Sequence, residues 1–296
     1  MPGQASGQYT ELRAGRVELE ATTVAEKKVA FITGVARGQG RAHAVKLASK
    51  GVNIIGLDIC ADIPSMDYPN ATEDDLLATV KLVEAVGGEM IAGQGDVRSY
   101  DDLRRVLALG LDRFGRVDVL LANAGIVRLS PDGDRDRTWV DIIDVNLTGV
   151  WRTIEVVLPA IRAGGRGGSI VITSSSAGLK GTGTDKAGAQ AYTAAKRGLV
   201  GLMQVLANQY ASEMIRVNTI HPTGVATGMS QNPAMEALMA QAAAGGQNTI
   251  SQMQNALPIE ILQPENIADA VAWLVSDEAA YITGVQLPLD AGFAVR

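Results

Sequence analysis

The chain of 296 residues contains a single cysteine, Cys60. No disulfide can form within it, which fits a reducing compartment. There are two histidines, His43 and His221, far apart in sequence, and no His/Cys cluster with zinc spacing, so no metal centre is expected. No apolar run is long enough to span a bilayer. The first residues lack a continuous hydrophobic signal core, and the expected location is the cytoplasm. Lysine and arginine form no run, and the net charge is −6. Binding to nucleic acid needs a basic patch to meet the phosphates, so that class of partner is disfavoured.

What remains is the balance of an ordinary globular chain, with 47% hydrophobic and 20% charged residues, enough to bury a sizeable core. Residues 1–26 lack clear periodicity and are expected to be a flexible tail, or a strap used in assembly. From Lys27 onward, short apolar runs alternate with helix-like stretches. The runs are Val29–Thr33, Val52–Asp58, Met90–Asp96, Val117–Asn123, Ser169–Ser174, Ile215–His221 and Val285–Leu289. Between them the helical stretches are Gly40–Lys50, Leu76–Val86, Tyr100–Phe114, Thr138–Ala163, Gln190–Ser212 and Glu265–Ser276. The runs are continuously apolar rather than alternating, the mark of strands covered on both faces. Repeated strand–helix alternation implies right-handed βαβ units. The expected fold is therefore α/β, a doubly wound parallel sheet of seven strands of the Rossmann type, forming a single domain over 27–296. Ser230–Leu257 breaks the rhythm with a stretch rich in Met, Ala, Gln and Asn. It reads equally as a lid over a site or as surface helices packed on the core or on a neighbouring subunit.

The first strand runs into Thr33-Gly34-Val35-Ala36-Arg37-Gly38-Gln39-Gly40. Glycines let the backbone approach a pyrophosphate, and the following helix N-terminus favours the anion. The turn follows a strand and opens a helix, which is the context a dinucleotide site requires. Asp58, 18 residues beyond Gly40 and ending the second strand, suits the ribose hydroxyls and would repel a 2′-phosphate. No arginine directly follows it, so NAD is favoured over NADP, tempered by Arg37 and Arg41 in the glycine loop. Asp96-Val97 and Asn123-Ala124-Gly125 close the third and fourth strands at the same rim, where turn chemistry is the competing explanation.

Tyr192 and Lys196 are four residues apart, so on a helix they share one face. An ammonium beside a phenol favours the phenolate, and a phenol tuned toward neutral pH can exchange a proton with an alcohol oxygen. Ser174, Ser175 and Ser176 follow the fifth strand, and Asn146 falls within the long helical stretch before it.

Taken together, these features resemble the short-chain dehydrogenase/reductase family. The matches are T-G-V-A-R-G-Q-G at 33–40, A-N-A-G at 122–125, Asn146 in D-V-N-L, S-S-S-A-G at 174–178 and Y-T-A-A-K at 192–196. They run in the family's order from Lys27 to the C-terminus. The resemblance implies that Ser175 bonds the substrate oxygen, with Ser174 a less favoured register. It implies that Tyr192 is the general acid/base, that Lys196 lowers the Tyr192 pKa, and that Asn146 supports a water path to Lys196. It further implies NAD contacts from Gly34, Arg37, Gly38, Gln39, Gly40, Asp58, Ile59, Asp96, Val97, Asn123, Ala124, Gly125, Thr173, Tyr192, Lys196, Val225 and Thr227, and a homotetramer packed through its long helices. Two features depart from the pattern. Thr223 stands where a glycine is usual in His221-Pro222-Thr223-Gly224, and extra residues, Gly181–Gly188, separate Ser175 from Tyr192 as a flexible rim of the substrate cleft.

A long connection, Ile59–Asp75, and R-G-Q-G-R-A-H-A at 37–44 resemble the mycofactocin-coupled, carveol-dehydrogenase-like subgroup. That resemblance implies NAD that does not exchange freely and mycofactocin as the electron carrier. The connection either folds over the adenosine end or is a plain surface loop. The expected activity is oxidation of an apolar, terpene-like secondary alcohol, or reduction of its ketone. A dehydrogenase of the same family with freely exchanging NAD(P) and a steroid or acyl substrate is one alternative; a non-catalytic dinucleotide sensor or scaffold and a Rossmann methyltransferase are the competing classes, both disfavoured by an intact Ser175–Tyr192–Lys196 set.

Overall fold

The computed structural model describes residues 27–130, 133–243 and 255–296. The tail expected over 1–26 and the stretch 244–254 of the expected lid lie outside them. The strands are β1 (Val29–Thr33), β2 (Asn53–Asp58), β3 (Met90–Gln94), β4 (Val119–Ala122), β5 (Gly168–Thr173), β6 (Ile215–Pro222) and β7 (Gln286–Leu289). They form one seven-stranded sheet in the order β3-β2-β1-β4-β5-β6-β7, and every pairing is parallel. The helices are α1 (Gly38–Ser49), α2 (Glu73–Ala85), α3 (Tyr100–Phe114), α4 (Arg135–Ile143), α5 (Gly149–Ala163), α6 (Ser176–Lys180), α7 (Ala187–Gln209), α8 (Pro233–Ala243) and α9 (Pro264–Leu274).

Successive strand residues point to opposite faces, and the two cores separate on that basis. Phe31, Ile55 and Leu57 join Leu103 of α3, Ile154 of α5 and Leu199 of α7 on one face. Ala30, Ile32 and Ile54 join Leu47 of α1, Val83 of α2 and Val271 of α9 on the other. Each fully buried Leu, Ile or Phe contributes about 1.5–3 kcal/mol by leaving water. Strand order reverses between β1 and β4, and the carboxyl ends of parallel strands open a crevice at such a point.

Several boundaries differ from expectation for local reasons. The helix expected to begin at Leu76 begins at Glu73, because Thr72 and Asp75 form a reciprocal capping box. The connection after Asp58 is thereby shortened to 59–72. The helix carrying Tyr192 begins at Ala187 rather than Gln190, so the rim expected over Gly181–Gly188 is a loop only over 181–186. β3 ends at Gln94 and β4 at Ala122, which puts Asp96, Val97 and Asn123 just past the strands. Helix α6 was not expected. The stretch expected as one helix, Thr138–Ala163, is interrupted by a π-helical segment at Asp144–Thr148. Asn146 is in that segment, and its Nδ2 donates to the Ile142 carbonyl at 2.8 Å. A side chain that takes a backbone acceptor displaces the regular ladder.

Candidate functional site

A cavity of about 930 Å³ lies along the carboxyl ends of the strands. Of the residues singled out from the sequence, it is lined by Gly34, Arg37, Gly38, Gln39, Gly40, Asp58, Ile59, Asp96, Val97, Asn123, Ala124, Gly125, Thr173, Ser175, Tyr192, Lys196, Val225 and Thr227. Asn146 does not line it.

One end of the cavity is built for an anion. Arg37 is the N-cap of α1 and makes no side-chain capping bond, so the first-turn amides face the cavity without that partner. Gly38 has φ +55°, and a methyl there would meet Thr227 Cγ2 at 2.9 Å. A methyl on Gly40 would lie 2.0 Å from the Gly34 carbonyl oxygen, so only glycine fits this close approach. Gln39 carries a buried Oε1 with no protein partner, an acceptor suited to a ligand hydroxyl and not to a phosphate oxygen. Asp58 accepts from Ala36 N at 2.9 Å and Cys60 N at 3.2 Å. Burial raises its pKa; the backbone donors, Ala36 first, and the Arg37 charge oppose this. Each Asp58 oxygen keeps a lone pair for a hydroxyl donor. These groups fit the phosphates and ribose of a dinucleotide.

The neighbouring loops are locked to one another. Asn123 Nδ2 donates to the Thr33 carbonyl at 3.1 Å, and Thr173 Oγ1 donates to Asn123 Oδ1 at 3.3 Å. The ends of β1, β4 and β5 are thus clamped together. Asp96 is gripped by Arg98, with Nη2 at 2.7 Å from Oδ2. Arg41, a suspected phosphate contact, instead bonds the Ala36 and Asp75 carbonyls and Thr79.

The other end holds the polar set. The structure separates Ser174 from Ser175. Ser174 is buried, and its hydroxyl donates to the Lys196 carbonyl at 2.8 Å. Ser175 caps α6 by accepting from Ala177 N at 3.1 Å, and its hydroxyl is the side chain that opposes the rise of the Tyr192 pKa. Lys196 is 3% exposed, and its Nζ donates to the Thr173 carbonyl at 2.7 Å. Asn146 is fully engaged: Oδ1 accepts from Ile126 N, and Nδ2 donates to the Ile126 and Ile142 carbonyls. A methyl on Gly125 would sit 2.8 Å from Asn146 Oδ1 and 3.4 Å from Lys196 Nζ. The two groups therefore flank one small gap.

The expected lowering of the Tyr192 pKa by Lys196 is absent in this geometry. Burial pushes the phenol up, opposed only by the Ser175 hydrogen bond, and burial brings Lys196 down from 10.5 to about 7. A buried ammonium whose nearest partner is a neutral carbonyl carries its charge weakly. Between pH 7 and 10.5 the unfolded lysine holds a proton that the folded one lacks, so native stability rises with pH across that window and the penalty is complete below it. Lys196→Met is accordingly expected to stabilise the fold at pH 7 by about 1–3 kcal/mol, net of the lost bond to Thr173. The gain should shrink as thermal melts are repeated toward pH 10; a gain independent of pH would refute this account of the lysine.

One wall of the cavity comes from the connection for which both folding over the site and a plain surface loop were expected. The connection 59–72 turns inward across the crevice, and Ile63, Tyr68, Asn70 and Ala71 line it. Ile63 is in the core. Ser65 Oγ donates to buried Asp141 at 2.7 Å, and Tyr68 Oη accepts from Val127 N at 3.2 Å. Arg37 Nη2 donates to the Pro69 carbonyl at 2.8 Å. The segment is thus a strap tied to the loop after β4, to α4 and to the glycine turn. Its partners lie 76 and 59 residues away for Ser65 and Tyr68, so no local spacing could have revealed them. Ser230 and Met235 also line the cavity, which brings the described part of the expected lid against it.

A Rossmann sheet with a Ser–Tyr–Lys set beside a dinucleotide-sized cleft defines a nucleotide-dependent oxidoreductase architecture. The family model for short chain dehydrogenase matches residues 28–237, and the chain belongs to that family. It is 53% identical over 268 residues to an uncharacterized oxidoreductase of Mycobacterium tuberculosis, covering 90% of this chain and 96% of that one. It is 44% identical over 278 residues to the (-)-trans-carveol dehydrogenase of Rhodococcus erythropolis, covering 92% and 99%. The solved carveol dehydrogenase from Mycobacterium avium in complex with NAD superposes with a TM-score of 0.83 at 41% identity, covering 91% of this chain and 98% of that one. Among the described residues, no helix is long and apolar enough to cross a membrane.

Proposed function

We propose that the protein is an NAD-dependent dehydrogenase acting on an apolar, terpene-like secondary alcohol such as carveol, or on the matching ketone. The observation that carries this reading is the meeting of Ser175, Tyr192 and Lys196 in the same cavity as the glycine turn and Asp58. Bound NAD supplies the hydride acceptor. The backbone of Gly34, Gly38, Gln39 and Gly40 would hold its phosphates, Asp58 would hold its adenosine ribose, and Asp96 and Val97 would flank its adenine. Ser175 orients the carbinol oxygen, and Tyr192 takes the hydroxyl proton. Lys196 and Thr173 hold the phenol's surroundings in place, and Asn146 borders the small gap beside Lys196. The cavity is also lined by Val127, Leu129, Ala189, Met229 and Met235, apolar side chains suited to a hydrocarbon skeleton. Lys180 also faces it, with its ammonium committed to the Phe293 and Arg296 carbonyls.

The strap over 59–72 supports a second element of the reading: NAD stays on the protein between turnovers. A nucleotide that is not released must be reoxidised in place by a carrier that comes to it, and mycofactocin is the carrier the sequence resemblance implies. Exposed Trp139, Val140 and Trp151 on α4–α5 and Val205 on α7 support a homotetramer built on those helices. The cytoplasm is the proposed location.

Dialysis and a single turnover test this reading. Purified protein should retain NAD through prolonged dialysis and, on addition of carveol, form bound reduced nicotinamide once per site without added NAD. Protein that loses its nucleotide yet turns over freely with added NAD would keep the dehydrogenase and remove the retained cofactor.

A further inference from the structure

His221 is the penultimate residue of β6, before Pro222, and it is completely buried. It lies at the seam where β5 and β6 end, beside the point at which Ser174 and Ser175 leave the sheet. Ile220 O accepts from Ser174 N at 2.9 Å, the last backbone bond of the ladder. One residue further, the imidazole continues the connection: Nδ1 is 3.0 Å from the Ser175 carbonyl oxygen. Nε2 is 2.9 Å from Thr219 Oγ1. Thr219 and His221 are two residues apart on one strand and share a face, which accounts for that second contact.

A carbonyl can only accept, so Nδ1 carries the proton and Nε2 accepts from the Thr219 hydroxyl. The two contacts leave the ring one tautomer and one orientation. A leucine would fill the same buried space without desolvating two nitrogens, so a packing role alone gives no reason for an imidazole here. The ring is kept neutral at pH 7, its pKa lowered by burial first and then by the Lys196 and Arg197 charges, against the Ser175 carbonyl and Asp290.

What the ring holds is the backbone of the residue whose hydroxyl meets Tyr192. Ser175 is extended, with φ −164° and ψ 155°. Its Oγ accepts from Ala177 N at 3.1 Å, and its carbonyl also accepts from Gly178 N at 3.0 Å. The α6 amides fix the serine from one side only, and α6 is a single short turn. His221 fixes it from the sheet. We propose that His221 is a positioning residue for the reaction, gripping the Ser175 carbonyl so that the serine hydroxyl is held toward Tyr192 and the substrate oxygen. This rests on the reading of Ser175 and Tyr192 as the proton-transfer pair.

The test compares His221→Leu, His221→Asn, Ser175→Ala and the Ser175→Ala/His221→Leu double variant, with carveol and NAD. Asn places an amide donor where Nδ1 stands. His221→Leu should lower kcat about 10–100-fold, the cost of a small misplacement of a reacting group, with the NAD dissociation constant and carveol KM within about twofold. His221→Asn should restore most of that loss. In the Ser175→Ala background His221→Leu should have no further effect on kcat, because the group it positions is gone. A loss that persists undiminished in that background, or an Asn variant as slow as Leu, overturns the assignment. If His221→Leu does not fold, His221→Gln carries the test: its amide reaches toward the Nε2 position and leaves the Ser175 carbonyl ungripped, and kcat should fall as for Leu; wild-type kcat in that variant overturns the assignment. Full turnover by Ser175→Ala would instead bring down the catalytic reading itself.

Discussion

Tyr192→Phe is expected to slow carveol oxidation by about 10²–10⁴-fold, the contribution of a positioned acid/base group, while leaving NAD bound. The Ser175 hydroxyl acts on the phenol, against the upward push of burial, and phenylalanine keeps the ring while removing the proton carrier. The cofactor end of the cavity does not depend on that hydroxyl. The glycine turn, Asp58 and the Asn123 clamp make their contacts without it. Loss of turnover with loss of NAD would point to a collapsed cavity; loss of turnover alone identifies the proton step. Unchanged turnover would sink the mechanism. The size of the effect should also shrink toward low pH in the oxidation direction, where the phenol is protonated and no longer serves as a base. Burial raises the phenol's pKa in this geometry, so the enzyme must gather charge around Tyr192 before it can act as a base. The pyridinium ring of oxidised NAD would bring positive charge beside the phenol, and Lys196, with a pKa of about 7, adds its own where it is protonated.

The sheet was legible because its signal is local: Phe31, Ile32, Ile54 and Ile55 sit in unbroken apolar runs, and unbroken runs mean two covered faces. The glycine turn was legible for a similar reason, since Gly40 is dictated by a backbone contact six residues away in sequence, with Gly34. Other features depend on which distant groups meet. Three consecutive serines look alike on paper, and only the packing of α7 against β5 turns Ser174 toward the Lys196 carbonyl and Ser175 toward Tyr192. Asn146 reads as a mid-helix residue until its amide is seen to bridge Ile126 and Ile142 and interrupt the helix. The lowering of the Tyr192 pKa by Lys196 was expected because spacing reports a neighbour and not burial, and here burial is the larger influence and pushes the phenol up. Tyr68, in an otherwise unremarked Asp-Tyr-Pro stretch, finds its donor beyond β4.

The strap gives the second large effect. A Ser65→Ala/Tyr68→Phe double variant is expected to release NAD about 100-fold faster than the native protein. Ser65 donates to a carboxylate, a bond worth about 1.5–3 kcal/mol, and the Tyr68 bond is neutral and worth about 0.5–1.5 kcal/mol. If release requires the strap to lift, their joint loss appears in the off-rate. Ser65 is the better target than its partner. Asp141 also pairs with Arg98 and Arg137, and replacing it would strand two guanidinium groups and disturb the Asp96 grip. With Ser65 removed those pairs remain. The amide of Val127, freed by Tyr68→Phe, borders the cavity, where water can meet it. Stopped-flow displacement of bound NAD by excess labelled NAD measures the rate, and single-turnover hydride transfer in the same variant should stay within a few-fold of native. Ile63 and the Arg37–Pro69 contact keep the strap anchored at two other points, so the variant should fold with its cavity in place. An unchanged off-rate would mean that 59–72 walls the cavity without gating it, and retention of NAD would then have to come from the glycine turn, Asp58 and the Asp96–Val97 end.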